Sequence, residues 1–255
     1  MTIDVTLSTN GDFDTSEYKA AKKLKTIFEK SFDPKKYGEI NGEVFIHANG
    51  TIFGQNVKDL DIICGGSFSN LRLDLKTRIE CRKSKNEDSK EEHIKNSEDE
   101  EFTLRKIIFS DFLFVIEVKD STASDIALDG DSLKVKYKES FKNVTHQSED
   151  QKYAFKNFLK DFDKKNSPPF ICNFIWLTQV SEEDLKDLTD SKSNEILLRN
   201  LLPDRFNLRW LFSLACLQKI PFYYSNNPNT VRFLSSFGIR AWNYRAIIHS
   251  CCRLL

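Results

Sequence analysis

The chain has 255 residues, of which 40% are hydrophobic and 30% are charged, so it can bury one sizeable core or two small ones as a globular protein. No apolar run is long enough to span a membrane, and no basic region followed by an apolar stretch begins the chain, so we expect a cytoplasmic protein. The 38 basic and 38 acidic residues balance, which argues against coating nucleic acid through bulk charge but allows a local basic groove.

The six cysteines show neither CxxC spacing nor a cluster with histidine of the kind that binds zinc. Three of them, Cys64, Cys172 and Cys216, lie in apolar runs, where a reduced thiol behaves as a small hydrophobic side chain. We therefore expect reduced, buried cysteines.

The first part of the chain predicts one helix followed by strands. Apolar residues recur at helical spacing within residues 16–32, and Thr15 or Ser16 fits the N-cap. Asn49-Gly50 predicts a tight turn, and Gly65-Gly66 predicts the end of a strand. Strands are expected at residues 43–47, 57–64 and 71–79.

Residues 82–101 contain almost no apolar side chains and predict a mobile charged insert. Beyond it, Asp129-Gly130 predicts the turn of a hairpin. Strands are expected at residues 104–109, 112–119, 126–128, 133–137, 170–177 and 221–224, and helices at residues 149–162, 181–188, 206–218 and 229–237. This order of helices and strands predicts a mixed α/β fold.

Residues 112–119, read as FLFVIEVK, combine a buried strand with charged side chains at its end. Because strand side chains alternate, Glu117 and Lys119 project from the same face. A buried carboxylate and ammonium are costly unless they pair or hold an ion. The segment predicts either a functional site or an ordinary ion pair where a strand emerges into solvent.

Asp61 is a polar residue within another apolar strand, VKDLDIIC. If the two strands pair, Asp61 and Glu117 meet at one end of a sheet, and converging carboxylates require a cation. Oxygen ligands suit Mg²⁺ or Mn²⁺, which can generate a hydroxide nucleophile. With Lys119 orienting the water or neutralising developing charge, the set outlines a phosphodiesterase site.

The order of these residues resembles the PD-(D/E)XK nuclease superfamily, and within it most closely the nuclease-related domain (NERD) family. Glu17 lies in a first helix, Asp61 lies on a strand, and Glu117 and Lys119 form the ExK motif. After a hairpin, residues 143–147 resemble the family's Asn-x-x-x-Gln at the start of a helix. The likeness covers roughly residues 15–180.

The resemblance implies a role for each matching residue. Asp61 and Glu117 would bind the metal together with Val118, Lys119 would assist the attacking water, and Glu17 would support the metal site. The family's glutamine corresponds to Gln147, and Gln151, one turn further on the same helical face, is the alternative. The implied fold is a restriction-endonuclease-like mixed sheet flanked by helices in residues 1–180, with a C-terminal α/β or helical extension in residues 181–255.

Other acidic residues compete for two of these roles. The separation of Asp61 from Glu117 exceeds the family's usual spacing, so Asp74 or Asp111 could replace Asp61. Glu43, which also precedes a core strand, could replace Glu17.

The expected function is that of a metal-dependent endonuclease acting on DNA. The alternatives are a catalytically inactive nuclease-like module that binds nucleic acid or protein, and a phosphodiesterase acting on RNA or a small molecule. A homodimer, or fusion to an effector or helicase module, is compatible with the sequence. The residues expected to contact the phosphate backbone are Lys22, Lys23, Lys134, Lys136, Lys138 and Lys142.

Overall fold

Two long antiparallel strands, β3 (Asp59–Arg78) and β5 (Glu101–Lys119), form the middle of the main sheet. The structure is a computed structural model, and it describes residues 2–31, 40–57, 59–78, 94–95, 101–162, 168–189, 199–219 and 230–233. The model is a mixed α/β structure with this main sheet, a separate three-stranded antiparallel sheet and flanking helices. Within the described ranges, no helix is long and apolar enough to cross a bilayer.

The main sheet follows a path of six strands, and two short strands pair with β5 beside it. The path runs β1 (Thr2–Thr9), β2 (Asn41–Thr51), β3, β5, β9 (Cys172–Leu177) and β10 (Leu201–Leu202), and the two additional strands are β4 (Ile94–Lys95) and β11 (Thr230–Phe233). Only β3 runs against its two neighbours on this path. The carboxyl ends of β1, β2, β5 and β9 therefore lie at the same edge of the sheet.

Helices cover both faces of this sheet. One face carries α1 (Ser16–Ser31) and α4 (Leu208–Lys219), which contribute Phe28 and Phe212 to a core with Phe112 of β5. The other face carries α2 (Val144–Phe162). A fourth helix, α3 (Glu182–Thr189), begins at a capping box in which Ser181 and Asp184 bond each other's amides.

The smaller sheet extends the structure beyond the end of β5. A 3₁₀ helix (Ala123–Asp125) leads into β6 (Ile126–Asp129), β7 (Ser132–Tyr137) and β8 (Ser140–Asn143). Val135 of β7 packs in a third core cluster with residues of α2 and β9. Asn143 then caps α2, accepting a 2.9 Å hydrogen bond from the amide of His146. The small sheet is therefore held beside the carboxyl edge of the main sheet.

Several elements confirm the sequence predictions. The first helix begins after Thr15, whose hydroxyl accepts the Tyr18 amide at 3.2 Å. The hairpin at Asp129-Gly130 forms as predicted, and Cys64, Cys172 and Cys216 are buried and form no disulfide. Cys81, Cys251, Cys252 and the predicted strand at residues 221–224 lie outside the described residues, as does most of the charged insert, in which β4 is described.

Other predictions are wrong. Asn49-Gly50 makes no turn and is part of β2. The side-chain amide of Asn49 donates hydrogen bonds to the hydroxyls of Thr9 and Thr15. These bonds connect the end of β2 to β1 and to the N-cap of α1. No break separates residues 104–109 from 112–119, which are both part of β5. The helix predicted at residues 229–237 is contradicted at Thr230–Phe233, which pairs with β5 as β11. The N-terminal strand β1 was not predicted.

The pair Gly65-Gly66 was also predicted wrongly, since β3 runs straight through it. A Cβ atom on Gly66 would lie 2.4 Å from the Glu43 carbonyl oxygen and 2.9 Å from the Phe112 ring. Glycine here permits a close approach of strands and ring, rather than ending the strand.

Gly66→Ala is expected to lower the free energy of unfolding by about 2 kcal/mol or more, because the backbone contact cannot move aside. Ser67→Ala, at the adjacent position, is the matched control and is expected to change stability by less than about 0.5 kcal/mol. Urea denaturation of both variants measures the difference. Equal stability of Gly66→Ala and wild type would show that the strands can separate at this point without cost.

Candidate functional site

The register of β3 and β5 brings Asp61 opposite Glu117 at the carboxyl edge of the main sheet. Ile62 pairs with Ile116, so the next step of the antiparallel ladder aligns Asp61 with Glu117. Directly opposed strand residues have Cβ atoms about 5 Å apart, and two like charges in that position repel. The fold therefore places two carboxylates where their repulsion must be offset.

A backbone hydrogen bond fixes Asp61. Its Oδ2 atom accepts the amide of Val118 at 2.7 Å, so the side chain bonds the strand that carries Glu117. This amide lies just beyond the last paired residues of β3 and β5. There the Asp61 carboxylate accepts the hydrogen bond that a backbone carbonyl would accept within the strand ladder. The bond holds Asp61 beside the segment that carries the other charged residues.

Glu117 is completely buried and has a partner at each carboxylate oxygen. Oε1 accepts a hydrogen bond from the ammonium of Lys119, which is also buried, and Oε2 accepts one from the amide nitrogen of Gln151 on α2. The remaining polar atom of this group, Gln151 Oε1, is buried with no hydrogen-bond partner among the described residues. An unpaired buried acceptor costs stability, so this oxygen is available to accept a bond from a ligand or a water.

The environment shifts the pKa values of the three charged groups upward. Burial, then the neighbouring Glu117 and Glu17, raises the pKa of Asp61 to about 7, despite the bond from Val118. Burial also raises the pKa of Glu117, although Lys119 opposes it. The pKa of Lys119 is raised because its interaction with Glu117 outweighs the effect of burial. Lys119 is therefore positively charged at neutral pH.

Glu17 lies in the first turn of α1, which begins at the same sheet edge because α1 follows β1. Its charge raises the pKa of both Asp61 and Glu117, so it contributes to the negative potential of the site. Within the described ranges, no three His, Cys, Asp or Glu side chains converge closely enough to hold a metal ion. Glu17 is thus a neighbour of the carboxylate pair and completes no such triad.

The donor set nevertheless fits a hard divalent cation. Asp61 and Glu117 are adjacent, burial raises the pKa of both carboxyl groups, and Gln151 offers an unpaired oxygen nearby. Carboxylate and amide oxygens are ligands that Mg²⁺ and Mn²⁺ accept. The charge of a cation would favour the ionised form of both carboxyl groups and so oppose the effect of burial.

The competing acidic residues lie elsewhere. In the register of β3 and β5, Asp74 lies opposite Lys106 and Asp111 lies opposite Ser67. Both positions are several residues from the Asp61–Glu117 position. Glu43 is exposed on β2 and also aligns with Ser67. Among the acidic candidates, it is Asp61 that the register aligns with Glu117.

On α2, it is Gln151, the alternative glutamine, that bonds Glu117. Gln147 lies one turn earlier and is half-buried. Because Gln151 follows Gln147 by one helical turn on the same face, the sequence offered both residues and only the packing of α2 distinguishes them.

The predicted backbone-contacting lysines lie on two elements near this edge. Lys22 and Lys23 are exposed on α1. Hydrogen bonds from Thr178 and Gln179 lower the pKa of Asp120, and the charge of Lys23 lowers it further. Lys134 pairs with Asp129 on the small sheet. Lys136, Lys138 and Lys142 are exposed there.

Tyr137 was missed by the sequence analysis. Its ring centroid lies 5.8 Å from Nζ of Lys119 and 4.9 Å from Nζ of Lys142. The alternation of Leu133, Val135 and Tyr137 along β7 places the exposed Tyr137 on the same face as the two buried residues, which was the available indication in the sequence.

Comparison of the chain with protein-family models, curated proteins and solved structures found no match. The chemistry of the site must therefore be inferred from its geometry.

Proposed function

We propose that this protein is a metal-dependent endonuclease that hydrolyses phosphodiester bonds of DNA, built on a restriction-endonuclease-like sheet. The main support is the opposed pair of the half-buried Asp61 and the buried Glu117, whose carboxylates share one sheet edge with the charged Lys119. A protein interior tolerates such a group when the charges serve binding or catalysis.

Each residue has a chemical task in this proposal. Asp61 and Glu117 would hold Mg²⁺ or Mn²⁺, with Gln151 Oε1 as a further oxygen ligand or water acceptor. The cation would supply an acidified water and positive charge opposite the phosphoryl oxygens. Lys119 holds a proton firmly, so it donates hydrogen bonds to a phosphate oxygen and stabilises developing negative charge. Gln151 fixes the orientation of Glu117.

Digestion of plasmid and linear DNA tests the proposal. We expect cleavage in Mg²⁺ or Mn²⁺ and none in EDTA. Cleavage of plasmid circles, which have no ends, would establish endonuclease action. Absence of cutting with either metal on plasmid, linear or single-stranded DNA would contradict the proposal.

A nucleic-acid-binding module without catalysis is the second candidate. It is favoured by the ion pair of Lys119 with Glu117, which neutralises one buried carboxylate without a metal. In that case Mg²⁺ would leave both thermal stability and DNA binding unchanged, whereas Mg²⁺ bound at a metal site would raise the free energy of unfolding with the logarithm of its concentration above the dissociation constant.

Gln151→Ala is expected to lower the cleavage rate at least about 100-fold, because it removes the group that orients Glu117 and leaves one carboxylate oxygen unpaired. Gln147→Ala, one turn away on the same helix, is the matched control, and we expect a change of less than about threefold. Single-turnover cleavage rates compare the two. The reverse ranking would assign the catalytic role to Gln147 instead.

A further inference from the structure

The small sheet carries an exposed aromatic ring immediately beside the carboxylate pair. Tyr137 is 40% exposed at the end of β7, and its ring centroid lies 5.8 Å from the ammonium of Lys119. The structure therefore places a partly exposed aromatic ring next to the ammonium group that would contact the scissile phosphate.

A second ammonium continues this arrangement outward. Lys142 aligns with Val135 on the neighbouring strand, so it shares a face with Tyr137, and its Nζ lies 4.9 Å from the ring centroid. All four residues of β8 are exposed. Lys119, Tyr137 and Lys142 thus form a row, which we call the Tyr137 row, running from the buried site to the surface.

We infer that the Tyr137 row binds a single-stranded segment of nucleic acid, with one base stacked on Tyr137 and a flanking phosphate on Lys142. This inference rests on the proposed function and specifies its substrate. Alternating cations and an aromatic ring match alternating phosphates and bases. A base within a duplex is stacked on both sides and offers no free face, whereas an unpaired base does.

The arrangement also explains how a chain without net charge can bind a polyanion. The attraction comes from a few ammonium groups in a row, and stacking adds affinity that salt does not screen. Because Lys119 is at the inner end of the row, the phosphate beside the stacked nucleotide would lie next to Asp61 and Glu117.

Binding measurements in EDTA separate this inference from catalysis. The probes are a fluorescently labelled short DNA single strand and its duplex, measured by anisotropy over a series of salt concentrations. Wild type is expected to prefer the single strand. Tyr137→Ala is expected to weaken single-strand binding about 10-fold while Tyr137→Phe restores it, because the ring stacks and the hydroxyl does not.

Two further variants sharpen the result. Tyr153→Ala removes a tyrosine that is 57% exposed on α2 and is expected to bind as wild type does. Lys142→Ala is expected to reduce the slope of log affinity against log salt by about 0.7, and Tyr137→Ala is expected to leave that slope unchanged.

Preference for the duplex, no binding of the single strand, or equal affinity of Tyr137→Ala and wild type would each overturn the inference. These outcomes are distinct from failure of the proposed function. A chain that binds single strands through Tyr137 but cuts nothing would refute catalysis alone, whereas a nuclease indifferent to Tyr137→Ala would refute the stacking alone.

Discussion

Lys119→Met is expected to lower the rate of metal-dependent DNA cleavage by at least about 10³-fold, and Glu117→Gln by a similar factor. Lys119 provides the fixed cation of the site, and its raised pKa means that it carries this charge throughout the neutral range. Glu117 is the buried carboxylate on which Lys119 and Gln151 both converge. Removing either one removes charge that the transition state of the proposed reaction would require.

Folding must be separated from catalysis in these variants. Lys119→Met leaves Glu117 buried without its cation, and breaking a buried pair costs about 3 kcal/mol or more. The double variant Glu117→Gln/Lys119→Met replaces both charges and is expected to regain most of that stability while remaining inactive. A stable but inactive double variant would exclude unfolding as the cause.

Lys186→Met is the matched control for charge removal. Lys186 is exposed on α3 and pairs with Glu182 one turn earlier, and it is not among the groups that shift the pKa of Asp61 or Glu117. We expect its cleavage rate to equal that of wild type. If Lys119→Met kept more than about a tenth of the wild-type rate, the assignment of Lys119 to the chemistry would have to be abandoned.

The sequence contained the charged residues of the site but not all of their contacts. Alternation along β5 was sufficient to place Glu117 and Lys119 on one face, and the apolar surroundings of Asp61 marked it as unusual. The separation of 56 residues between Asp61 and Glu117 concealed their register, which depends on β3 continuing through Gly65-Gly66. In the local sequence a glycine pair indicates a turn. Only the close contact with Phe112 and Glu43 shows that Gly66 instead allows a neighbouring strand and a ring to approach closely.

The contacts that were missed come from packing between distant elements. Gln151 rather than Gln147 reaches Glu117 because of how α2 lies on the sheet, and a helical pattern leaves both on one face. Tyr137 approaches Lys119 only because the small sheet folds back beside the end of β5. β11 shows the same limit, since pairing with β5 overrides the local pattern that predicted a helix.

The stability of this protein is expected to fall as pH rises from about 4 to about 8, and Asp61→Asn is expected to remove most of that fall. The folded state raises the pKa of Asp61 from 3.8 to about 7, so between these values it binds more protons than the unfolded state. By linkage, the free energy of unfolding then decreases with rising pH. The same direction applies to Glu117, whose pKa is also raised.

A pKa difference of this size corresponds to about 2–4 kcal/mol, so Asp61→Asn should be more stable than wild type by that order at pH 8 in EDTA and nearly equal to it at pH 4. Urea denaturation at both pH values measures this, with Asp59→Asn at the exposed start of β3 as the matched control. If the stability of the wild-type protein did not decline with rising pH, the proposed destabilising effect of the Asp61 and Glu117 charges would be contradicted.

The same experiment relates stability to function. If Asp61 and Glu117 hold a cation, Mg²⁺ at pH 8 should restore the wild-type stability, since bound cation stabilises the folded state by about 2.7 kcal/mol at one hundred times its dissociation constant. Asp61→Asn should gain much less from Mg²⁺ while being inactive. If Asp61→Asn is more stable and less active than wild type, the charge of Asp61 destabilises the fold but is needed for activity. This result is expected if Asp61 and Glu117 bind the metal.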